Sequence, residues 1–469
     1  MFDLANPQRS KRPALIDGPG GRVLTYSDLR AELDLFGRSL DLYGRGLVFL
    51  FCRNNLESVV AYLALMESEH AVALLDDALD HAARTALIER YRPELVLDSG
   101  DHDYSVLGYG RGVSHGLGSW TTRPGDEDLD PRLKLLLTTS GSTGSPKFVR
   151  LSHDNVAANT RSICEALAIG SDDRAITTLP IFYTYGLSVL NTHISAGASV
   201  VVTGEGVMSP ALWELVRATE CTTLSGVPYT YRMLDRIGFD SLDIPKVRTL
   251  TQAGGRLEPE AVTRFAGIMR ERGGRLHVMY GQTEATARIA CLPPDELPAK
   301  AGSVGRAIPR GHLSIEVGGL LTREPGVAGE VVYQGPNVMM GYATERAHLS
   351  YGDALRGMLH TGDIGSLDED GYLRLEGRSS RIAKLFGVRL NLDEVEARLA
   401  HLGPTAALQR DESVVLFCAW GDAAQLDEHR RALARGLRIN HRAFEVARLE
   451  ELPHTSSGKI DYKSLVALR

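Results

Sequence analysis

Cysteine is scarce. The five present (Cys52, Cys164, Cys221, Cys291 and Cys418) are odd in number, widely scattered, and form no Cys-x-x-Cys pair. That excludes a disulfide framework or thiolate metal site as the organising feature and fits reduced core residues of a cytoplasmic protein. Long apolar runs are missing too. Val414 to Trp420 is among the longest, far short of the roughly 20 residues a membrane-crossing helix needs. Met1-Phe2-Asp3-Leu4 opens no basic segment followed by an apolar stretch, so no secretory leader is expected. Positive charge is not in surplus: 52 Lys and Arg against 59 Asp and Glu give a net −7, which argues against a general nucleic-acid binder. From Arg378 onward the balance reverses to 15 basic against 12 acidic residues, a small excess that suits an anionic partner.

What is there points to a globular enzyme of more than one domain. A chain of 469 residues is too long for a single core. Hydrophobic content of 43% with 24% charged residues is ordinary for a folded protein. Short apolar runs at Leu47 to Cys52, Ala175 to Leu179, Ser199 to Val202 and Arg248 to Thr251 are each followed by a helical pattern. That alternation predicts α/β layers with largely parallel sheets. The stretch "GVAGEVVYQGPNVMMGY", Gly326 to Tyr342, changes to short strands and turns and reads as a small β subdomain. A domain boundary is placed at Gly377-Arg378-Ser379-Ser380, after which a compact α/β pattern restarts.

One loop is unusually rich in flexible and hydroxylated residues. "LLLTTSGSTGSPKFVRLSHDN", Leu135 to Asn155, follows an apolar run from Leu133 that reads as a strand covered on both faces. Ser152 is a plausible N-cap for a helix around Ser152 to Ala168, with Asn155 standing where a full capping box has Glu or Gln. Between them Gly141 and Gly144 let backbone N–H groups converge, the hydroxyls add donors and Lys147 adds charge, a set that suits a phosphate chain. A polar linker is the plainer reading. A Walker A loop fails, because Gly144 is followed by Ser145, Pro146 and Lys147 rather than by Gly-Lys-Ser/Thr spacing.

Four more segments are unusual for scaffold: "AGGRL" (Ala253 to Leu257), "MYGQTEAT" (Met279 to Thr286), "LHTGDIG" (Leu359 to Gly365) and "LPHTSSGKI" (Leu452 to Ile460). The first offers a Gly pair after a strand, where something flat can approach the backbone. The second gathers an aromatic, a Gly, hydroxyls and a carboxylate at the end of another strand. The third is read as a Gly-flanked turn exposing Asp363, and the fourth carries Lys459 on a Gly/Ser-rich loop. Each alone has a plain structural reading as a turn or a strand end. In this order they fit phosphates, adenine, ribose and Mg²⁺.

The ordered set resembles the adenylate-forming superfamily of acyl-CoA synthetases, amino-acid adenylation domains and firefly-type luciferases. The resemblance runs from Leu24 to Leu40, "LTYSDLRAELDLFGRSL", to Ser457 to Leu465, "SGKIDYKSL". It implies an α/β fold with a large N-terminal domain, residues 1–377, of layered α/β sheets carrying a small β subdomain. A small mobile C-terminal α+β domain, residues 378–469, follows. It further implies that Thr139, Ser140, Gly141, Ser142, Thr143, Gly144 and Lys147 hold the β- and γ-phosphates of ATP. Gly254, Gly255 and Arg256 line the adenine slot, Tyr280 stacks on the purine, and Gly281 and Gln282 belong to the same nucleotide motif. Thr283 faces the α-phosphate and Glu284 helps hold Mg²⁺. Asp363 takes the ribose hydroxyls with Arg378 in support. Tyr183, Tyr185, Gly186, Gly226 and Ala285 line the acid pocket. Lys459 bridges carboxylate and α-phosphate, and Gly387 serves the thiol step on the other face of a swinging tail domain.

The implied activity is ATP-dependent conversion of a carboxylic acid to acyl-AMP, then transfer to CoA or to carrier-protein phosphopantetheine. The trimmed tail leans toward a carrier: the stretch from Glu396 to Lys459 is shorter than the family usually shows, although Gly387, Arg389 and Glu394 are kept. A catalytically idle nucleotide- or acyl-binding protein and an amino-acid-activating enzyme are the alternatives. Against the latter, "LPIFYTYGLSVL", Leu179 to Leu190, has no carboxylate, and Tyr183 stands where acyl-CoA synthetases usually have His. An α-ammonium there would be buried without a counter-charge, which is costly. Simple aliphatic or aromatic acids are therefore expected to drive ATP–pyrophosphate exchange better than any proteinogenic amino acid. Preferred exchange with an α-amino acid would contradict that reading.

Overall fold

The computed structural model describes residues 1–4, 6–40, 42, 44–100, 102–114, 116–122, 128–138, 147–378, 381–385, 388–410, 413–437, 439–455 and 458–468. The chain forms two compact units. The first comprises Met1–His312 with Gln334–Leu359, and the second Leu313–Tyr333 with His360–Arg469.

The first unit holds two large sheets. In one, Leu47–Cys52, Ala71–Asp76, Leu95–Asp98 and Leu133–Thr138 run parallel, with antiparallel strands outside them. In the other, Pro13–Asp17, Arg174–Ile176, Ser199–Val202, Thr223–Gly226, Thr249–Gln252 and Arg275–Tyr280 run parallel. Parallel strands are covered on both faces and so read as unbroken apolar runs; Leu47–Cys52 is buried at every position. The helix Leu56–Glu67 buries ten of its 12 residues, and a helix apolar on nearly every side has to be covered on every side. Its core includes Val48 and Leu135 from one sheet and Leu15 and Val200 from the other, so the layers share one interior.

Ser152 caps the helix His153–Leu167, and Asn155 completes the box by accepting from the Ser152 N–H at 2.9 Å. Asn is short but reaches because both groups sit in the same first turn.

Two expectations are corrected. The stretch Gly326 to Tyr342 is not one β subdomain: Ala328–Gln334 joins a five-stranded sheet, while Gly341–Ala343 pairs antiparallel with Phe148–Arg150 at the edge of the first unit's sheet. Gly335-Pro336 between them breaks the ladder. "LHTGDIG" is not an exposed turn either. It lies inside the strand Met358–Leu367, with Asp363 buried at 4% exposure opposite Arg378. Gly362, at φ +72°, absorbs the local bend that reads from sequence as a turn.

The second unit adds a hairpin, Ile382–Leu385 with Val388–Asn391, and a three-stranded sheet of Thr405–Arg410, Ser413–Cys418 and Phe444–Arg448, with the helices Leu392–Leu399, Ala423–Leu437 and Tyr462–Ala467. The whole is α/β with a smaller α+β part. Among the described residues no helix is long and apolar enough to cross a membrane.

Candidate active site

In the first unit the singled-out residues collect where three parallel strands end. Gly226 closes Thr223–Gly226, Gly254 follows Thr249–Gln252, and Tyr280 closes Arg275–Tyr280. The carboxyl ends of parallel strands are where open α/β sheets bind ligands, because loops there are free to vary. Backbone approaches closely at two glycines. Gly254 sits at φ +82°, and a Cβ there would stand 2.6 Å from the Tyr183 hydroxyl, which brings those two sites together. At Gly281 a Cβ would lie 1.9 Å from the Ala287 carbonyl oxygen, so no side chain fits. Gly255 follows against Pro228, and Arg256 beyond it is largely exposed, 4.0 Å from Glu258.

Tyr185 is 2% exposed and shares a 2.7 Å hydrogen bond with Thr251, whose hydroxyl donates onward to Ser225 at 2.9 Å. Burial pushes the Tyr185 and Tyr183 phenols up, so both stay neutral. Gly186 lies in the first turn of Thr184–Ala196, packed on the Pro180 carbonyl.

The loop after Tyr280 decides the geometry. Thr283–Ala285 makes a 3₁₀ turn, and Thr286 follows at φ +63°, ψ −58°. Its flanks close a three-residue ring, the Ala287 N–H donating to the Ala285 carbonyl at 2.7 Å. This is the rarer, strained hand of γ-turn. Asn337, 2% exposed, braces it: its Nδ2 donates to the carbonyls of Ala285 (2.9 Å) and Arg288 (3.0 Å), and the Thr286 hydroxyl donates to the Asn337 carbonyl at 2.7 Å. Asn159, from the helix His153–Leu167, holds Arg288 from the other side through its carbonyl (3.0 Å) and N–H (3.3 Å). Thr184 donates to the Thr286 carbonyl as well.

Glu284 projects from the same loop. The Tyr342 hydroxyl donates to its Oε1 at 2.7 Å, and the Lys147 ammonium lies 3.8 Å from the centre of the Tyr342 ring. Burial, reinforced by the Glu284 carboxylate, pushes the Tyr342 phenol up and keeps it a donor. The second carboxylate oxygen of Glu284 takes no hydrogen bond from the described residues. One hard oxygen beside an ammonium suits a divalent cation riding on a polyphosphate, since Mg²⁺ uses one or two carboxylates and takes its other ligands from phosphates and water.

In the second unit, Arg378 Nε donates to Asp363 Oδ1 at 2.9 Å. Lys459 is half-buried: the Thr455 N–H donates to the Lys459 carbonyl at 2.8 Å, the Lys459 N–H donates to the Thr455 hydroxyl at 3.2 Å, and His454 bridges to Ile460. Thr139, Ser140, Gly141, Ser142, Thr143 and Gly144 lie outside the described residues, as do Ser380 and Gly387. Sequence reasoning missed Asn337, Asn159, Tyr342 and Arg288. The first three carry no motif of their own; Arg288 stands just past "YGQTEAT", and a charge amid an apolar run was the available signal.

Residues 2–343 match the family model described as AMP-binding enzyme. The indoleacetate–CoA ligase of Aromatoleum aromaticum is 32% identical over 362 residues, 73% of this chain and 69% of that protein. A hybrid PKS-NRPS synthetase of Aspergillus candidus is 27% identical across 100% of this chain, which makes up 20% of that protein. Across four curated relatives with ligase or synthetase names, the aligned stretch spans 52% to 69% of their lengths. In fold, the chain is similar to the O-succinylbenzoate coenzyme A synthetase of Bacillus subtilis in complex with AMP, at TM-score 0.78 and 23% identity, covering 98% of this chain and 97% of that one.

The bracing of Thr286 is open to a direct check. Asn337→Ala leaves the Ala285 and Arg288 carbonyls without this buried donor. Each carbonyl keeps one other donor, from Ala287 and Asn159 respectively, so the expected loss of unfolding free energy in urea titrations is about 1–2 kcal/mol, the sum of two ordinary hydrogen bonds. A change below about 0.5 kcal/mol, the size of a neutral surface substitution, would mean the turn holds without it.

Proposed function

The chain belongs to the AMP-binding enzyme family, and on that premise we propose that it is an AMP-forming acid–thiol ligase. The observation that carries the reading is the trio Lys147, Tyr342 and Glu284 beside the braced loop, an ammonium and a hard carboxylate oxygen joined by one phenol. Nucleotide contacts are proposed for Thr139 to Gly144, Lys147, Gly254 to Arg256, Tyr280 to Thr283, Asp363 and Arg378, and acid contacts for Tyr183, Tyr185, Gly186, Gly226 and Ala285.

A substrate carboxylate attacks the α-phosphate of ATP; the bond to the β-phosphate breaks and pyrophosphate leaves, giving acyl-AMP. No general base is required, because the carboxylate is already ionised at neutral pH. The difficulty is that two anions must meet. Lys147 and Lys459 supply positive charge and Thr283 orients the α-phosphate; Glu284 would hold Mg²⁺, which would supply further positive charge to the phosphates. A thiol then attacks the acyl carbon and AMP leaves. This second step brings no carboxylate to a triphosphate, so the Lys459 charge has no part in it; Gly387 is the residue proposed for the thiol's approach.

For the acceptor, the names of the relatives favour CoA, in place of the carrier expected from the short tail. A carrier-borne phosphopantetheine remains a second reading, supported by the match of the whole chain to part of a hybrid synthetase. Thioester formation with free CoA is the expected outcome; formation on a holo-carrier protein and none on CoA would reverse the order.

Lys459→Ala should slow acid-dependent pyrophosphate exchange by about 10²–10³, the usual effect of losing one preorganised charge. Thioester formation from supplied acyl-adenylate should be nearly unchanged. Equal loss in both steps would reject the role given to Lys459, and no exchange with any acid in the unaltered protein would reject the ligase reading.

A further inference from the structure

Where this chain buries an arginine, it nearly always supplies acceptors. Arg84, fully buried, donates to Asp98 at 2.7 Å, and Arg346 holds Glu94 at 2.6 Å. Arg150 donates to the carbonyls of Tyr351, Met340 and Gly352. Arg288 breaks the pattern. It is 3% exposed, its Nε has no partner, and among the described residues its guanidinium makes neither a hydrogen bond nor an ion pair. The Tyr185 ring lies 4.8 Å away, which offers attraction but no acceptor. Burial pulls the Arg288 pKa down, countered by the Tyr185 and Tyr183 phenols and the Cys291 thiol rather than by any carboxylate. Guanidinium nonetheless stays charged in proteins. An unpaired charge in an apolar interior is among the costliest arrangements a fold can hold.

Arg288 lines a cavity of about 20 Å³ with Tyr185, Ser188, Met279 and His193. His193 is a second unpartnered group there. It is 2% exposed, its Nδ1–H donates to the Val189 carbonyl at 2.8 Å, and its Nε2, left as an acceptor, has no hydrogen-bond partner among the described residues. Asp173, the one carboxylate among the lining residues, is already engaged by Arg248 and by the Gly170 N–H, each at 2.8 Å. An alkyl tail in this cavity would leave the guanidinium dry and unpaired. An occupant with an anionic end would not.

We propose that Arg288 receives a second, distal carboxylate of the substrate, so that the acid activated is a short diacid. This rests on the ligase reading above, in which the other carboxylate attacks ATP on the Glu284 side of the γ-turn. The guanidinium fork matches a carboxylate bidentately, and a carboxylate so held is a poor nucleophile, which separates the two ends by role. The cavity, about 20 Å³, has room for little beyond the carboxylate itself, which favours a compact acid.

The test pairs acids of equal length: malonate with propanoate, succinate with butanoate, phthalate with 2-methylbenzoate. In pyrophosphate exchange the unaltered protein should favour the best diacid over its partner by about 10²-fold in kcat/KM, the scale of a buried charge-assisted pair. Arg288→Met should abolish that preference by losing the diacid while keeping the monoacid, and Arg288→Lys should restore part of it. The Met variant should also unfold at an equal or higher temperature without substrate, since it removes an unpaired buried charge. A preference for monoacids, an equal loss of both acids in Arg288→Met, or a lower unfolding temperature would each overturn the proposal. Should no acid support exchange, the ligase reading falls by itself. Calorimetric titration of the same pairs then decides Arg288: tighter diacid binding that Arg288→Met removes upholds it, and equal binding ends it.

Discussion

The site depends on one strained residue. Thr286 adopts a backbone conformation that costs on the order of 1–3 kcal/mol for a residue with a Cβ, and Asn337, Asn159 and Thr184 outweigh it. Their hydrogen bonds on the Ala285–Arg288 backbone, with the Thr286 hydroxyl donating to the Asn337 carbonyl, contribute about 1 kcal/mol each. What the turn achieves is separation. Within a few residues the chain presents Glu284 to an accessible edge and Arg288 to a small cavity.

The same economy shows at Tyr342. A short edge strand, Gly341–Ala343, puts one ring between an ammonium and a carboxylate and satisfies both, by its face and by its hydroxyl. A direct Lys147–Glu284 bridge would spend both charges on each other. With the phenol between them, the ammonium keeps its donors and the carboxylate keeps an oxygen, which is what a phosphate chain with its counter-ion requires.

Much of the architecture was legible. Leu47–Cys52 and Ser199–Val202 form as read, because an apolar run of strand length in an α/β chain has one place to go. Ala175 to Leu179 stops at Ile176: the Thr177 hydroxyl turns to the Thr203 carbonyl and Pro180 ends the ladder. The motifs marked which loops to look at but not how they are held. Asn337 acts across 51 positions on Thr286, and nothing local distinguishes a bracing asparagine from a turn asparagine. Asp363 misled for a similar reason. Thr-Gly-Asp has the composition of a turn, and the pairing of Asp363 with Arg378 on the next strand is what makes it part of a sheet.

The brace also has a position in time. Between Thr286 and Asn337 the chain leaves the first unit for Leu313–Tyr333 and then returns. During synthesis, everything up to the γ-turn is in hand before the residue that secures it exists. Closing that contact requires a long loop to be drawn in, the kind of non-local step that slows folding. The loop from Thr283 to Arg288 is therefore among the last parts of the first unit to become fixed, and a chain ending at residue 312 would carry that loop without the asparagine that braces it.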